Sequence, residues 1–202
     1  MHIKKGLAMH VHHEKLVEWC FNYDERAEFI RTEKPPEERE TRLRLFKLFK
    51  GELPPELVEA GRVFEEAQRV YVEAGRVYDE AGRVRVEAGR VYDEAFRVYD
   101  EARRVYNKAG QVYDESVWVH IKANRVYVEA ERVYDGPRQV RVEAGLVYDI
   151  AGRVYDEAGR VFNEAHRAYD KVLNKNMPAI EALHRIECPN CPWNGHTIFP
   201  KT

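Results

Sequence analysis

The chain has 202 residues, a formal net charge of −2 and 34% charged residues, with a mean hydropathy of −0.64. It has no run of about 18 apolar residues, which excludes a helical membrane span, and its balanced charge argues against a protein that coats nucleic acid. Its three cysteines cannot build a disulfide framework and fit a reducing compartment, and Lys4 and Lys5 lead into no apolar stretch, so no secretory leader is expected.

Residues 1–52 are expected to form a small helical cap. His10, His12 and His13 open it as a histidine cluster. An extended segment 9–13 would place His10 and His12 on one side. The bland reading is exposed or capping histidine; the sharper one is metal binding. Residues 13–31 read as an amphipathic helix with Leu16, Cys20, Tyr23, Ala27 and Ile30 near one side. Cys20 on that face reads as core rather than nucleophile. Pro35 and Pro36 stop the first helix, and residues 36–50 read as a second one carrying Leu43, Phe46 and Phe49. Gly51 ends it, and Pro54 and Pro55 open the next segment.

Residues 53–175 are expected to form a heptad-repeat region. From 60 to 172 the chain repeats a unit close to Ala-Gly-Arg-Val-Tyr-Asp-Glu, with positions here labelled a to g. Position d is Val in fifteen consecutive copies, and position e is Tyr in eleven. The exceptions at e are Phe64, Phe162, Arg85, Arg141 and His120. An odd period decides the secondary structure. On a strand, seven residues would swap Val and Tyr between faces at each copy. On a helix, Ala at a and Val at d form a constant seam. A β-solenoid is the disfavoured rival.

On the helical wheel Val, Ala, Tyr and Gly share one arc of roughly 160°, at about 100° per residue. Gly occupies b in eight copies, each costing about 1 kcal/mol against Ala. Packing must offset that cost, and Tyr from a neighbouring helix can fill a Gly notch. The Tyr stripe therefore reads as packing, with a sugar- or base-stacking platform as the rival. The opposite face carries Asp, Glu and Arg at ion-pair spacings, as with Asp93, Glu94 and Arg97. So wide an arc favours a multi-helix bundle or higher oligomer over a parallel dimer.

Asp135-Gly136-Pro137-Arg138-Gln139 interrupts the pattern without shifting its register. It predicts a kink, or a hairpin with Pro137 at a helix start and arms of roughly 120 and 55 Å at 1.5 Å per residue. A second irregular patch, 116–124 with Trp118 and His120, is less turn-like.

Residues 176–202 form a tail in which chemistry is concentrated. Cys188 and Cys191 have the gap that lets two thiolates reach one metal, and His196 follows as in a zinc knuckle. The knuckle's fourth ligand would fall on Lys201, which cannot serve. His184, four before Cys188, could complete a tetrahedral set. The expected metal ligands are therefore His184, Cys188, Cys191 and His196, holding a structural zinc. The bland reading is a reduced dithiol in a loose tail; a redox dithiol is less favoured, since no βαβ pattern surrounds it. There is no Gly-rich phosphate loop, no Gly-x-Ser-x-Gly and no His-Glu-x-x-His, and the acidic stripe does not converge. No enzyme and no catalytic residue are expected.

Three features together carry a resemblance: the Val-Tyr-Asp-Glu-Ala repeat, the segment Arg42-Leu-Arg-Leu-Phe-Lys-Leu48, and the tail Cys188-Pro-Asn-Cys-Pro-Trp-Asn-Gly-His196. The chain resembles phage and prophage heptad-repeat proteins that end in Cys-Pro-x-Cys-Pro-Trp and have no assigned activity. The resemblance implies a phage context, in the cytoplasm of an infected cell or with the virion.

The fold expectation is all-α: a long heptad helix or kinked helical hairpin, with a helical cap and a zinc-knuckle-like tail. The functional expectation is a non-enzymatic structural protein whose partner is itself, as a bundle, oligomer or filament. The alternatives are an inhibitor of a host enzyme or defence complex, and a nucleic-acid binder acting through the tail.

Overall fold

The structure, a computed structural model, describes residues 4–111 and 117–199. The repeat residues Val112, Tyr113 and Ser116, and Lys201, lie outside them. The fold is all-α in class. The elements are β1 (Gly6–Met9), β2 (Val17–Cys20), α1 (Tyr23–Glu33), α2 (Pro36–Leu45), β3 (Lys47–Leu48), α3 (Pro55–Gln111) and α4 (Val117–Glu187). They form two compact units, Met1–Arg69 with Arg160–Thr202, and Val70–Gly159.

The first unit is built on a small antiparallel sheet in the order β2-β1-β3, a departure from a purely helical cap. Val17, Trp19 and Cys20 prefer a pleated, half-buried surface, so the segment before Asn22 is strand rather than the start of the first helix. Trp19 pairs with Leu7 and Cys20 with Gly6. Helix α1 begins only at Tyr23, where the Asn22 side chain accepts the Glu25 N–H at 3.3 Å. That is an N-cap bond, and Asp24 and Glu25 favour the same helix end. Helix α2 starts on Pro36 at its first position, where a missing N–H costs nothing. It ends at Leu45, earlier than expected, because Phe46 turns extended and enters the core.

Leu7, Leu16, Val17 and Trp19 pack with Leu57, Phe64, Tyr169 and Ile180. Ala8, Val11 and Cys20 pack with Ala27, Ile30 and Phe46. Adjacent residues Leu7 and Ala8 thus feed opposite faces of one strand, so the sheet is covered on both sides. Cys20 is core, as expected, and burial pushes its thiol up from the ordinary range. A Cβ on Gly61 would lie 2.0 Å from the Trp19 ring; only glycine lets this strand and helix approach so closely.

The second unit is an antiparallel pair of helical segments from α3 and α4. Helix α3 ends at Gln111 and α4 starts at Val117, so the boundary between the two antiparallel segments is not at 135–139. Helix α4 runs unbroken through Gly136 and Pro137. A proline in a helix interior costs about 3 kcal/mol, but contacts on both sides of it hold this helix. Tyr134 bonds Tyr92 hydroxyl to hydroxyl at 2.7 Å, and Arg141 lies over the Tyr92 ring. The patch around Trp118 and His120, from Val117 on, is the first part of α4.

Register follows one rule: e faces e, symmetrically about position 113. Hydroxyls meet between Tyr71 and Tyr155 at 2.5 Å, between Tyr78 and Tyr148, and between Tyr99 and Tyr127 at 3.0 Å. His120 takes the same place opposite Tyr106, with ring centroids 5.0 Å apart. The rings also stack one step along, as Tyr78 on Tyr155, Tyr99 on Tyr134 and Tyr106 on Tyr127. Four Gly notches work as expected, but within one chain. Tyr155 and Tyr148 rings cover Gly75 and Gly82; Tyr78 and Tyr71 cover Gly152 and Gly159. The outer face carries the expected ion pairs, such as Glu73 with Arg76 at 2.8 Å and Glu87 with Arg90 at 2.7 Å. Arg97 instead reaches the Asp93 carbonyl.

One expectation is corrected. The seam is built from a, b and e, not from a and d. Ala at a is buried throughout this unit, whereas the valines at d are 42–58% exposed. On the wheel d lies about 100° from the centre of the a-b-e arc, at 100° per residue, so it falls off the side of the contact. Because the pair is symmetric, both d stripes emerge on one face. There Val84, Ala88 and Val91 of α3 line a shallow apolar groove with Pro137 and Val140 of α4.

Candidate metal centre

Four side chains of the first unit converge: His10, His184, Cys188 and Cys191, with one ligand atom of each within 4.8 Å of all the others. Three of the expected ligands are brought together; His196 is not. His10 takes its place.

Each ligand is set by local structure. His10 follows β1 directly and has φ of 50°, a left-handed conformation uncommon for a non-glycine residue. Its N–H bonds the Leu16 carbonyl at 2.9 Å, which closes the turn between β1 and β2 and aims the ring inward. His184 sits in the last turn of α4. Cys188 follows the helix, its N–H on the His184 carbonyl at 2.8 Å, so the two side chains stack on one face. Cys191 closes a tight turn, with its N–H on the Cys188 carbonyl at 3.2 Å and Asn190 at φ of 61°. Met9, Leu45 and Ile198 pack with Cys188, and Trp193 and Phe199 pack against this cluster.

The Nε2 atoms of His10 and His184 are 3.1 Å apart, and the Cys191 sulfur is 3.1 Å from the same His10 nitrogen. A tetrahedral ion with nitrogen at about 2.0–2.1 Å and sulfur at about 2.3 Å needs ligand edges of roughly 3.3 to 3.8 Å. The two 3.1 Å spacings fall a few tenths of an ångström short of that range and all the ligand atoms lie within 4.8 Å of one another, so side-chain shifts of at most about 1 Å would close them on an ion. One imidazole nitrogen carries a single proton or a single lone pair, so it can serve both neighbours only through a weaker, shared hydrogen bond; a shared cation satisfies all of them. Burial, and then the facing His184, hold His10 down at about 4. Burial also lowers His184. Both rings are therefore neutral near pH 7 and keep a lone pair for a metal. The other His10 nitrogen, Nδ1, lacks a hydrogen bond of full geometry, although the Lys15 backbone lies near enough to favour the protonated ring. Burial, then the neighbouring Cys191, push the Cys188 thiol up to about 11, against a smaller opposite pull from Lys47 and Arg44. Loading a cation therefore expels protons.

His196 lies on the exposed corner of a turn. The Asn194 side-chain oxygen accepts the N–H groups of His196 and Thr197 at 3.0 and 2.9 Å, and Gly195 has φ of 96°. That turn returns the chain to the core, where the Ile198 N–H meets the His13 carbonyl at 3.0 Å. It is Ile198, not His196, that faces the cluster. The histidines of the N-terminal group part ways too. His12 is exposed and pairs with Glu18, and His13 approaches the Thr197 hydroxyl at 3.4 Å. His10 and His12 do not share a side, because the positive φ at His10 ends the strand.

Among the described residues no helix is long and apolar enough to cross a membrane. Comparisons with protein families, curated proteins and solved structures find no match to the chain, so the functional reading rests on the residues themselves.

Proposed function

We propose that the protein is a non-enzymatic scaffold that associates with further copies of itself through the valine face of its helix pair. Its terminal unit is locked by a structural zinc ion on His10, His184, Cys188 and Cys191. The observation that carries this reading is the pair of exposed d stripes. Among the described residues the twelve d valines of the second unit, about half exposed each, present on the order of 800 Å², more than the few-hundred-Å² patches usual on monomers and comparable to one side of a standard interface. The Ala and Tyr of the original arc already pack within the chain, and the d valines are the longest regular apolar stripe left exposed beside single residues such as Trp118, Leu146 and Ile150.

A second copy is the occupant that fits best. The face is self-complementary by its own symmetry, and near-identical heptads give matching spacings along its length. A foreign helix would need the same seven-residue apolar period. The nucleic-acid reading loses its stacking surface, because the tyrosine rings face one another. The metal reading supports structure rather than catalysis, since four protein ligands leave no open position. Two thiolates and two imidazoles suit zinc. In a phage setting, suggested by the repeat and tail, such a scaffold would act by assembly.

Cysteine placed on the face tests this. Val98→Cys should give interchain disulfides on mild oxidation, whereas Arg76→Cys, on the charged side, should not. Equal cross-linking at both positions, or none at Val98→Cys, would count against self-association; a host protein captured at Val98→Cys in place of a second copy would favour the inhibitor reading.

A further inference from the structure

The tyrosine ladder of the second unit is interrupted once, at its middle. Arg85 and Arg141 occupy facing e positions. The Arg85 guanidinium lies over the Tyr148 ring at 4.7 Å, and that of Arg141 over the Tyr92 ring at 4.4 Å. Each arginine thus caps one half of the ladder. The exchange also empties two notches. In the register that seats Tyr155 on Gly75 and Tyr78 on Gly152, the side chains due on Gly89 and Gly145 are those of Arg141 and Arg85. Nothing lies within 4 Å of where a Cβ would stand on either glycine. The result is a groove of about 1010 Å³ whose lining includes both arginines and both open glycines.

The two ring contacts are what the pair gives the fold, and tyrosine would give as much. Tyrosine at both positions would continue the stack, fill the notches and remove two facing like charges, which repel. Nor does the pair set the register. Slipping one helix by a heptad would place each arginine opposite a tyrosine and relieve the repulsion. Among the described residues neither guanidinium has an ion pair or hydrogen bond, only its ring contact. The other charges in the lining do not neutralise them. Glu87 is engaged by Arg90 at 2.7 Å and Arg83 by Glu80 at 3.2 Å, which leaves one further cation, Arg138, and one anion, Asp79, in the lining.

We propose that this groove binds a multivalent oxyanion of the diphosphate class between Arg85 and Arg141. Each guanidinium is a planar fork that can donate two parallel N–H bonds to oxygens of one anionic group. Two such forks facing across a groove suit a ligand with two anionic groups, whose charge removes the mutual repulsion. The bare glycine backbone on either side lets the ligand sit deep. The site opens beside the glycines, shares only Arg83 and Glu87 with the valine-face groove, and is tested independently of self-association.

Isothermal titration of the full chain with inorganic diphosphate at low ionic strength tests it. The expected result is saturable binding at one ligand per chain, weakened by added salt and at least tenfold weaker in Arg85→Tyr/Arg141→Tyr, which restores the repeat. Arg85→Gln/Arg141→Gln keeps the notches open but removes the charges, and carries the test if the tyrosine variant fails to fold. Absence of saturable binding to the wild-type chain, or wild-type affinity in a folded double variant, would overturn the assignment.

Discussion

Replacing b-position glycines by alanine, one at a time, should give stabilities ordered by what each new Cβ meets. The helix itself gains about 1 kcal/mol from each change. At Gly89 and Gly145 nothing lies within 4 Å, so the full gain should appear. At Gly75, Gly152 and Gly159 the Cβ would stand 3.2–3.3 Å from a tyrosine ring; the ring must shift by tenths of an ångström, and gain and strain should roughly cancel. At Gly61 the Cβ would stand 2.0 Å from the Trp19 ring. Trp19 is held in the core with Leu7 and Leu57 and cannot move without opening it. Overpacking costs about 1–3 kcal/mol, so with the helix gain of about 1 kcal/mol set against it, Gly61→Ala should lose roughly 0–2 kcal/mol net. Gly89→Ala and Gly61→Ala should therefore differ by the overpacking cost, about 1–3 kcal/mol, since the helix gain is common to both. Urea unfolding followed by circular dichroism measures this. If Gly61→Ala were as stable as Gly89→Ala, the strand-to-helix approach and the register that leaves Gly89 open would both be wrong.

The metal centre makes its own prediction: His10→Ala should abolish stoichiometric zinc in elemental analysis, whereas His196→Ala should keep it. Chelation of the wild-type chain should lower the melting temperature of the unit carrying the tail and release two reactive thiols to a colorimetric reagent. Arg85→Tyr/Arg141→Tyr should melt higher than wild type in the absence of anions. The tyrosine pairs predict alkaline lability. The hydroxyl bond to Tyr99, then burial, raise Tyr127 from 10.0 to about 12, so the folded chain holds this proton more tightly than the unfolded one. The sign follows: this contribution is complete below about pH 10 and is lost as pH rises through about 12. An alkaline melt that tracks free tyrosine, with helicity falling only above that window, would contradict it.

Much of the second unit was legible because seven is odd and leaves only a helix. The glycine notches and their tyrosine tenants followed from the same wheel. The turn was not, because near-identical copies allow many registers and Pro137 offers a competing break in the pattern. The signal lay at position e, where Phe64 and Phe162, and Arg85 and Arg141, stand symmetrically about Tyr113. Such matched exceptions mark the centre of a hairpin in which e faces e. The exposure of valine was hidden because an arc of roughly 160° on a wheel with 100° steps is wider than one antiparallel partner covers. At the metal centre, Cys188, Cys191 and His184 were readable from local spacing. His10 was not, since its role depends on a sheet that brings a residue 174 positions away within 3.1 Å of His184. The alternation of Val17 and Trp19 just before the Asn22 cap was the available hint of that sheet.

Sedimentation equilibrium over a range of concentrations tests self-association through the valine face most directly, with Val77→Glu/Val147→Glu as the comparison. The wild-type chain should show a mass rising with concentration to a multiple of 23.8 kDa, and the variant should stay at the single-chain mass with unchanged helicity. A wild-type chain that remains at one mass throughout, or a variant that assembles as well as wild type, would contradict the account.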